Sequence, residues 1–299
     1  MNMIAPGHPK ANTEVPHLMQ ATGGRISIAA AHGWGRRMAL AGADLRETMG
    51  LWRLVLALSF MDIKLRYRGS LLGPFWLTLS TAVMIGAMGI LYATLFHQNV
   101  AAYLPFLSFS LIFWSFLSTL TAEGGTAFTA AEGMIRSQRM PFSLHAARVV
   151  MRNLFVLAHN LVVIVAVFAI FRVVPSEAVI SVIPGLLLWL IDGMAACLLL
   201  GVVGARFRDI PPIVASVLQI AFYVTPVLWS PTMLMHRHIG LVLVQGNPFY
   251  AMLEILRGPL LGNAFEPMAW AVALGYSALL VLLAALVFIR ARSRIAYWI

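Results

Sequence analysis

No Asp, Glu, Lys or Arg occurs anywhere in residues 69–122. An interval of that length without charge has few ways to fold. A helix crosses ~30 Å of hydrocarbon with ~20 apolar residues at ~1.5 Å each. In lipid, every backbone N–H and C=O must be satisfied by the protein, which leaves helices or closed barrels. The residues just before the interval are its opposite. Asp62, Lys64, Arg66 and Arg68 crowd into the sequence MDIKLRYRGSLLGPFW of residues 61–76, which then turns through Gly69, Ser70, Gly73 and Pro74. A charge at the bilayer centre costs roughly 2.5–3.5 kcal/mol. The cations therefore mark where the chain enters lipid, and the positive-inside rule puts them on the cytoplasmic side.

Composition agrees with an integral membrane protein. Hydrophobic residues make up 61% and charged residues 11%, against about 45–50% and 25% in soluble domains. Residues 1–40 lack sustained periodicity and read as a disordered cytoplasmic tail. The apolar piece at 26–31 is shorter than the ~7–15 residues of a signal-peptide core, so no signal peptide is expected. Arg36-Arg37 reads as part of the tail rather than a twin-arginine signal, because Asp44 and Arg46 lie where an apolar core would have to stand. Residues 41–299 form one membrane domain. Within it, residues 44–65 are expected to be helical, with Asp44 as N-cap and Glu47 completing a capping box. The apolar stretch 54–61 is too short to span, so this helix lies in the interface. Asp62 and Arg66 stand at i,i+4 and can pair. On residues alone the helix is an anchor before it is a moving gate.

Six spans come next, at about 71–96, 103–122, 149–171, 178–203, 212–230 and 268–289. With both termini cytoplasmic, only Arg172, Arg237 and Arg257 of the 21 Lys/Arg fall outside, a strong topological asymmetry. Two cytoplasmic loops are rich in cations. The longer, 123–148, contains Arg136, Ser137, Gln138, Arg139, Met140 and Pro141, with a short helix expected over 129–138. The shorter, 205–212, contains Arg206, Phe207, Arg208 and Asp209. Such loops are usually only positive-inside connectors; the alternative is that both dock a cytoplasmic protein. The outer connector, 231–267, is apolar but broken by Asn247-Pro248 and Gly258-Pro259, and Glu254 and Arg257 can neutralise each other. Two short helices that dip back into the outer leaflet fit it better than a seventh span.

Motifs for bond chemistry are missing. The two lysines, Lys10 and Lys64, follow Pro9 and Ile63, so no phosphate-binding loop of the G-x-x-x-x-G-K-[ST] type exists. H-E-x-x-H and G-x-S-x-G are also absent. The histidines are scattered; His236 and His238 read as interfacial. The single cysteine, Cys197, excludes an internal disulfide and a cysteine-based metal cluster. No catalytic residues, no bound cofactor or metal and no nucleic-acid partner are therefore expected. Asp192 is the one acid inside a span. It is either a functional group facing other helices or water, or a hydrogen-bonded helix contact. Trp114, Phe222 and Tyr223 are either packing residues or flat stacking faces along a pathway.

Three ordered segments carry a family resemblance. They are RYRGSLLGPFW at 66–76, ARFRDI at 205–210 and NPFYAMLEILRGPLLG at 247–262. They resemble the signature segments of the membrane subunit of ABC exporters for O-antigen, capsular polysaccharide and teichoic acid. The resemblance runs from about residue 44 to the C-terminus. It implies an all-α membrane protein of six transmembrane helices, with an N-terminal interfacial amphipathic helix and external re-entrant helices. It implies a homodimer in the bacterial inner membrane that works with two ATPase subunits, which hold ATP and Mg. The cargo would be a lipid-linked polysaccharide. By the same resemblance, Arg136, Ser137, Gln138, Arg139, Met140 and Pro141 would couple to the ATPase, as would Arg206, Phe207, Arg208 and Asp209. Asp62, Lys64, Arg66, Tyr67, Arg68, Gly73, Pro74 and Trp76 would form the cytoplasmic gate. Asn247, Pro248, Glu254, Arg257 and Gly258 would form the external one, and Asp192, Trp114, Phe222 and Tyr223 would line the pathway. Asp192 departs from the pattern, where a neutral polar residue is expected. The competing readings are an exporter of drugs or small lipids, a membrane glycosyltransferase and a membrane scaffold. The glycosyltransferase would need catalytic acids in interfacial loops, and the acids here are few and mostly beside cations.

Overall fold

The computed structural model describes residues 33–70, 73, 75–233 and 244–299. The expected tail over 1–32, together with Pro74, His236, Arg237 and His238, lies outside the described residues. Among the described residues all regular structure is helical. The chain opens with α1 (Trp34–Gly50) and α2 (Trp52–Arg66), joined by a kink at Leu51. Helix thus begins at Trp34, inside the segment expected to be tail. Each of the two buries only a narrow stripe: Ala41, Asp44 and Thr48 on α1, and Val55, Ser59 and Ile63 on α2. Those spacings of three, four and eight residues keep each stripe on one helix face. The other faces leave Met49, Trp52, Phe60 and Met61 exposed, as suits a helix pair lying along an apolar boundary.

The spans come after this pair. They are α3 (Phe75–Leu95), α4 (Val100–Gly124), α6 (Phe142–Phe171), α7 (Val182–Arg206) and α10 (Pro267–Ala291). Between α4 and α6 lies the short α5 (Glu132–Ser137). These five long helices are long and apolar enough to cross a membrane, and the chain is a multi-pass membrane protein. The fifth expected span, 212–230, is helical only as α8 (Ile210–Val224), which has 15 residues and a length of about 22 Å. It stops where Thr225 precedes Pro226 and adopts extended angles, φ −80° and ψ 140°, the conformation that a following proline favours. In the outer connector, α9 (Pro248–Leu260) is packed inside the protein, with every residue from 250 to 259 buried. The Asn247 side chain caps it, accepting from Phe249 N at 2.9 Å and Tyr250 N at 3.3 Å. A helix too short to span is tolerated at this depth because protein covers it. The final turn, α11 (Ile295–Trp298), folds back on α7.

The centre of the fold is the crossing of α4 and its following turn with α7. Lipid tails are as apolar as leucine, so helices in a membrane associate through close packing of small residues. Here Gly193, Cys197, Gly201 and Ala205 recur every four residues on one face of α7. A Cβ on Gly204 would stand 2.0 Å from the Gly125 carbonyl oxygen, and one on Gly193 would stand 2.6 Å from a Leu120 methyl. A Cβ on Gly201 would press the Phe128 ring at 3.1 Å. Overpacking such a contact typically costs about 1–3 kcal/mol, occasionally more. Gly204→Val is therefore expected to lose the monodisperse peak in detergent chromatography and to lower the apparent melting temperature. Gly86→Ala, where the added carbon meets nothing within 4 Å, should behave as the parent. Equal behaviour of the two variants would contradict the close crossing.

Candidate functional site

Asp62 and Glu123 stand at the centre of a charge network at one end of the bundle. Asp62, on α2, accepts from Arg148 Nε at 2.8 Å, from Arg148 Nη2, and from Arg152 Nη1 at 3.1 Å. Glu123, at the end of α4, accepts from Arg152 Nη2 and Asn153 Nδ2, each at 2.7 Å, and from Arg66 Nη2 at 3.0 Å. The local Asp62–Arg66 pair expected from sequence is not formed. Arg148 and Arg152 lie one turn apart on α6 and are mostly buried; two such cations need carboxylates between them. Burial alone would raise the Asp62 pKa, but the hydrogen bond and charge of Arg148, then those of Arg152, outweigh it and hold the carboxyl below its ordinary 3.8. Ser59 adds a hydroxyl bond to the Arg148 carbonyl at 3.0 Å. By these contacts α2, α4 and α6 are tied together.

A second carboxylate fixes the start of α6. Asp44, expected as the N-cap of its own helix, sits inside α1 and caps another. Its side chain accepts from Phe142 N at 3.1 Å, Ser143 N at 2.9 Å and the Ser143 hydroxyl at 2.6 Å. The N-cap position of α6 is Pro141, which supplies no side-chain acceptor. The first-turn N–H groups of a helix are orphans with partial positive charge, and Asp44 meets them from about a hundred residues away in sequence. Arg292, just past α10, donates to the same carboxylate at 2.7 Å.

The two basic loops meet at the same corner. In α5, Arg136 pairs with Glu132 at 2.9 Å and donates to the Ile299 carbonyl at 2.6 Å. Ser137, Gln138 and Arg139 are exposed, Met140 is half-buried and Pro141 is buried. In the shorter loop, Arg206 stacks its guanidinium over Phe207 at 5.3 Å and over Trp298 at 5.1 Å. Phe207, Arg208 and Asp209 are exposed. Both loops thus lean on residues 298–299. Of the residues expected to gate this end, Asp62 and Arg66 join the network. Lys64, Arg68 and Trp76 are exposed and Tyr67 is half-buried. Gly73 has φ 55° and donates its N–H to Ser70 Oγ at 3.1 Å.

About 20 Å along α4 a second ion pair is closed off from solvent. Arg257 is 1% exposed. It donates Nε to Glu254 at 3.0 Å, Nη1 to Ser110 Oγ at 2.9 Å and Nη1 to the Pro226 carbonyl at 2.8 Å, and it lies 4.5 Å over the Phe106 ring. Asn247 Nδ2 donates to Thr225 Oγ1 at 3.0 Å. Asn247, Pro248, Glu254, Arg257 and Gly258 therefore belong to one element, α9 with its cap, that braces the end of α8. Asp192 is buried; its Oδ2 accepts from Ser277 Oγ at 2.6 Å, and it lines a cavity of about 270 Å³ with Trp189, Phe249, Met252 and Tyr276. Trp114 is not beside it but packs on Phe222 and Phe249, each at 5.7 Å, while Tyr223 is exposed. No group of three or more His, Cys, Asp or Glu side chains that could hold a metal ion occurs among the described residues.

Comparison with known proteins gives two relatives. The chain is 25% identical over 211 residues to the O-antigen export system permease protein RfbA of Myxococcus xanthus, covering 70% of this chain and 80% of that one. It is 22% identical over 205 residues to the O-antigen export system permease protein RfbA of Klebsiella pneumoniae, covering 68% and 78%. No protein-family model matches the chain.

Removing one member of a buried ion pair costs about 3–5 kcal/mol. Asp44→Ala should therefore lower the apparent melting temperature in detergent strongly, and Asp44→Asn, which keeps an acceptor oxygen, should do so less. Glu47→Ala on the exposed face is the control; an Asp44→Ala protein that melts with it would contradict the capping role. The depressed Asp62 pKa sets a pH window as well. Its stabilisation is complete above the ordinary carboxylate pKa and fades only as pH falls through the lowered folded value. Contact between α2 and α6, read by a cross-link, should persist from neutral pH to about pH 5.

Proposed function

We propose that this chain is the membrane permease subunit of an ABC transporter that exports a lipid-linked O-antigen polysaccharide across the bacterial inner membrane. The observation that carries the reading is the similarity to two O-antigen export permeases across more than two thirds of the chain. The helical, apolar architecture supports it. Among the glycan classes that the three signature segments suggest, these relatives favour O-antigen over capsule or teichoic acid. The chain acts as a homodimer with two copies of a separate ATPase, which binds ATP and Mg; this subunit itself is not an enzyme. Six crossings result when α8 and the residues up to about 230 make up the fifth passage, with α9 as a re-entrant element on the outer side. Both termini, the charge network and the two basic loops are then cytoplasmic, in keeping with the positive-inside rule.

The mechanism rests on the connections between elements. The ATPase docks on the exposed faces of α5 and of the 206–209 loop. ATP-driven closure pushes α5, which continues through Pro141 into the first turn of α6. That turn is clamped by Asp44 to α1 and by Arg292 to the end of α10. Between one and three helical turns further in, Arg148 and Arg152 grip Asp62 on α2. A push on the loop therefore moves the interfacial helices with α6, and α3, which comes after α2 in the chain, moves too. That shift opens a path for the glycan at the dimer interface. The chain contributes route and linkage; hydrolysis is the partner's.

Arg139→Glu and Arg208→Glu should insert normally, since both side chains are exposed. Reversal of a docking charge costs several kcal/mol where it meets a like charge, so each should reduce ATPase co-purification and surface glycan several-fold. Deleting the gene should leave glycan made but retained inside. Intact surface glycan after deletion would refute the exporter reading.

A further inference from the structure

Between α3, α4 and α6 runs a cleft that no part of the packing explains. It holds about 220 Å³, less than the ~300–1,000 Å³ of a site for a drug-sized ligand. Its lining includes Arg66, Thr81, Ser115, Thr119, Asn153 and Asn160. Ser115 and Thr119 are exposed on the second half of α4. Asn160 is 6% exposed, and its carbonyl oxygen Oδ1 is buried without a hydrogen-bond partner. A buried amide oxygen with no partner costs about 1–3 kcal/mol. Such groups persist where a polar ligand meets them. They are arranged as a ladder. Counting along α4 from Glu123, Thr119 lies about 6 Å and Ser115 about 12 Å deeper; counting along α6 from Arg152, Asn160 lies about 12 Å deeper. The ladder starts at the charge network, where Arg66 stands at the mouth. Its deep rungs carry no formal charge, and the amide and hydroxyls offer both donors and acceptors.

We propose that this cleft binds a single sugar ring of a lipid-linked glycan within the inner half of the membrane, before the chain enters the export path. The proposal rests on the exporter reading above. The uncharged donor–acceptor ladder matches the vicinal hydroxyls of a sugar. A phosphate or ammonium head group would instead need countercharge at depth, and the cleft has its one cation only at the mouth. The lipid portion stays outside, against the largely exposed apolar surface of α3.

The test uses the full chain with its ATPase in nanodiscs and a photoreactive alkyl glucoside carrying the diazirine on the sugar. Labelled peptides should map to residues 115–119 of α4 and 153–160 of α6. Unlabelled alkyl glucoside should compete at least tenfold better than an alkyl phosphocholine of the same chain length. Asn160→Leu and the near-isosteric Thr119→Val should cut labelling and surface glycan several-fold. Asn160→Leu should also melt no lower than the parent, because it removes an unpartnered buried oxygen. A purely structural asparagine would give the opposite pattern, a lower melting temperature with normal labelling. Label spread over the lipid face of α3, or competed equally by phosphocholine, would overturn the site. If gene deletion blocks export while Asn160→Leu and Thr119→Val export normally, the cleft proposal fails and the exporter reading stands. If deletion leaves surface glycan intact, the exporter reading itself fails.

Discussion

Two carboxylates and three guanidiniums, placed where water gives way to lipid, hold the working parts of this protein together. Asp62 and Glu123 lie between Arg66, Arg148 and Arg152, and each carboxylate accepts from more than one donor. The inner part of the arrangement is costly to break, because removing Arg148, Arg152 or their carboxylates leaves a charge with little solvent to replace it. It is also directional. The anions come from α2 and α4, and the two inner cations come from one face of α6. The interfacial helix pair buries little apolar surface against the bundle, only a stripe of small and β-branched residues. Its docking depends on this network and on the Asp44 cap.

That dependence gives the fold a mechanical character. Where helices meet through small residues, as at Gly125 and Gly204, there is no room for adjustment, and α4 with α7 makes a stiff centre. The peripheral elements α1, α2 and α5 are fastened by charges and hydrogen bonds rather than by apolar area. A stiff core with a polar-tethered margin suits a subunit that receives force at one face and passes it into the membrane. At the far end, the Arg257–Glu254 pair fastens α9 to α4 and to the turn after α8 in the same manner, with Ser110 and the Pro226 carbonyl completing the donors' needs.

Much of this was legible in the sequence, and the boundary of what was legible has a physical cause. Long uncharged intervals specify spanning helices wherever the chain continues them, so α3, α4, α6, α7 and α10 fall close to their expected places. Local pattern also announced the pairing of Glu254 with Arg257 and the break at Asn247-Pro248, since both act within one helical turn. Contacts over large sequence separations were not legible. Asp44 looked like the cap of its own helix because a capping box is a local signal, yet its partners are at Phe142 and Ser143. Asp62 and Arg66 looked like a pair because nothing nearby advertised Arg148 and Arg152. The one usable hint was two cations at i,i+4 on α6 with no acid on the same helix. The shortness of α8 was foreshadowed by Thr225-Pro226, which hydropathy alone passes over. The cleft at Asn160 gave no sequence signal, because isolated Ser, Thr and Asn residues are common in membrane helices.

The central proposal is that α2, α5 and α6 move as one body when the proposed ATPase partner closes. It can be measured as a distance between spin labels at Leu65 on α2 and Gly133 on α5, both exposed positions. Cys197 is fully buried and does not compete for label. In the complete transporter, the Leu65–Gly133 distance should be the same without nucleotide and with ATP trapped. The distance from Gly133 to the exposed Gln245, just before α9, should change. A Leu65–Gly133 distance that shifts with ATP while Gly133–Gln245 stays fixed would contradict the account.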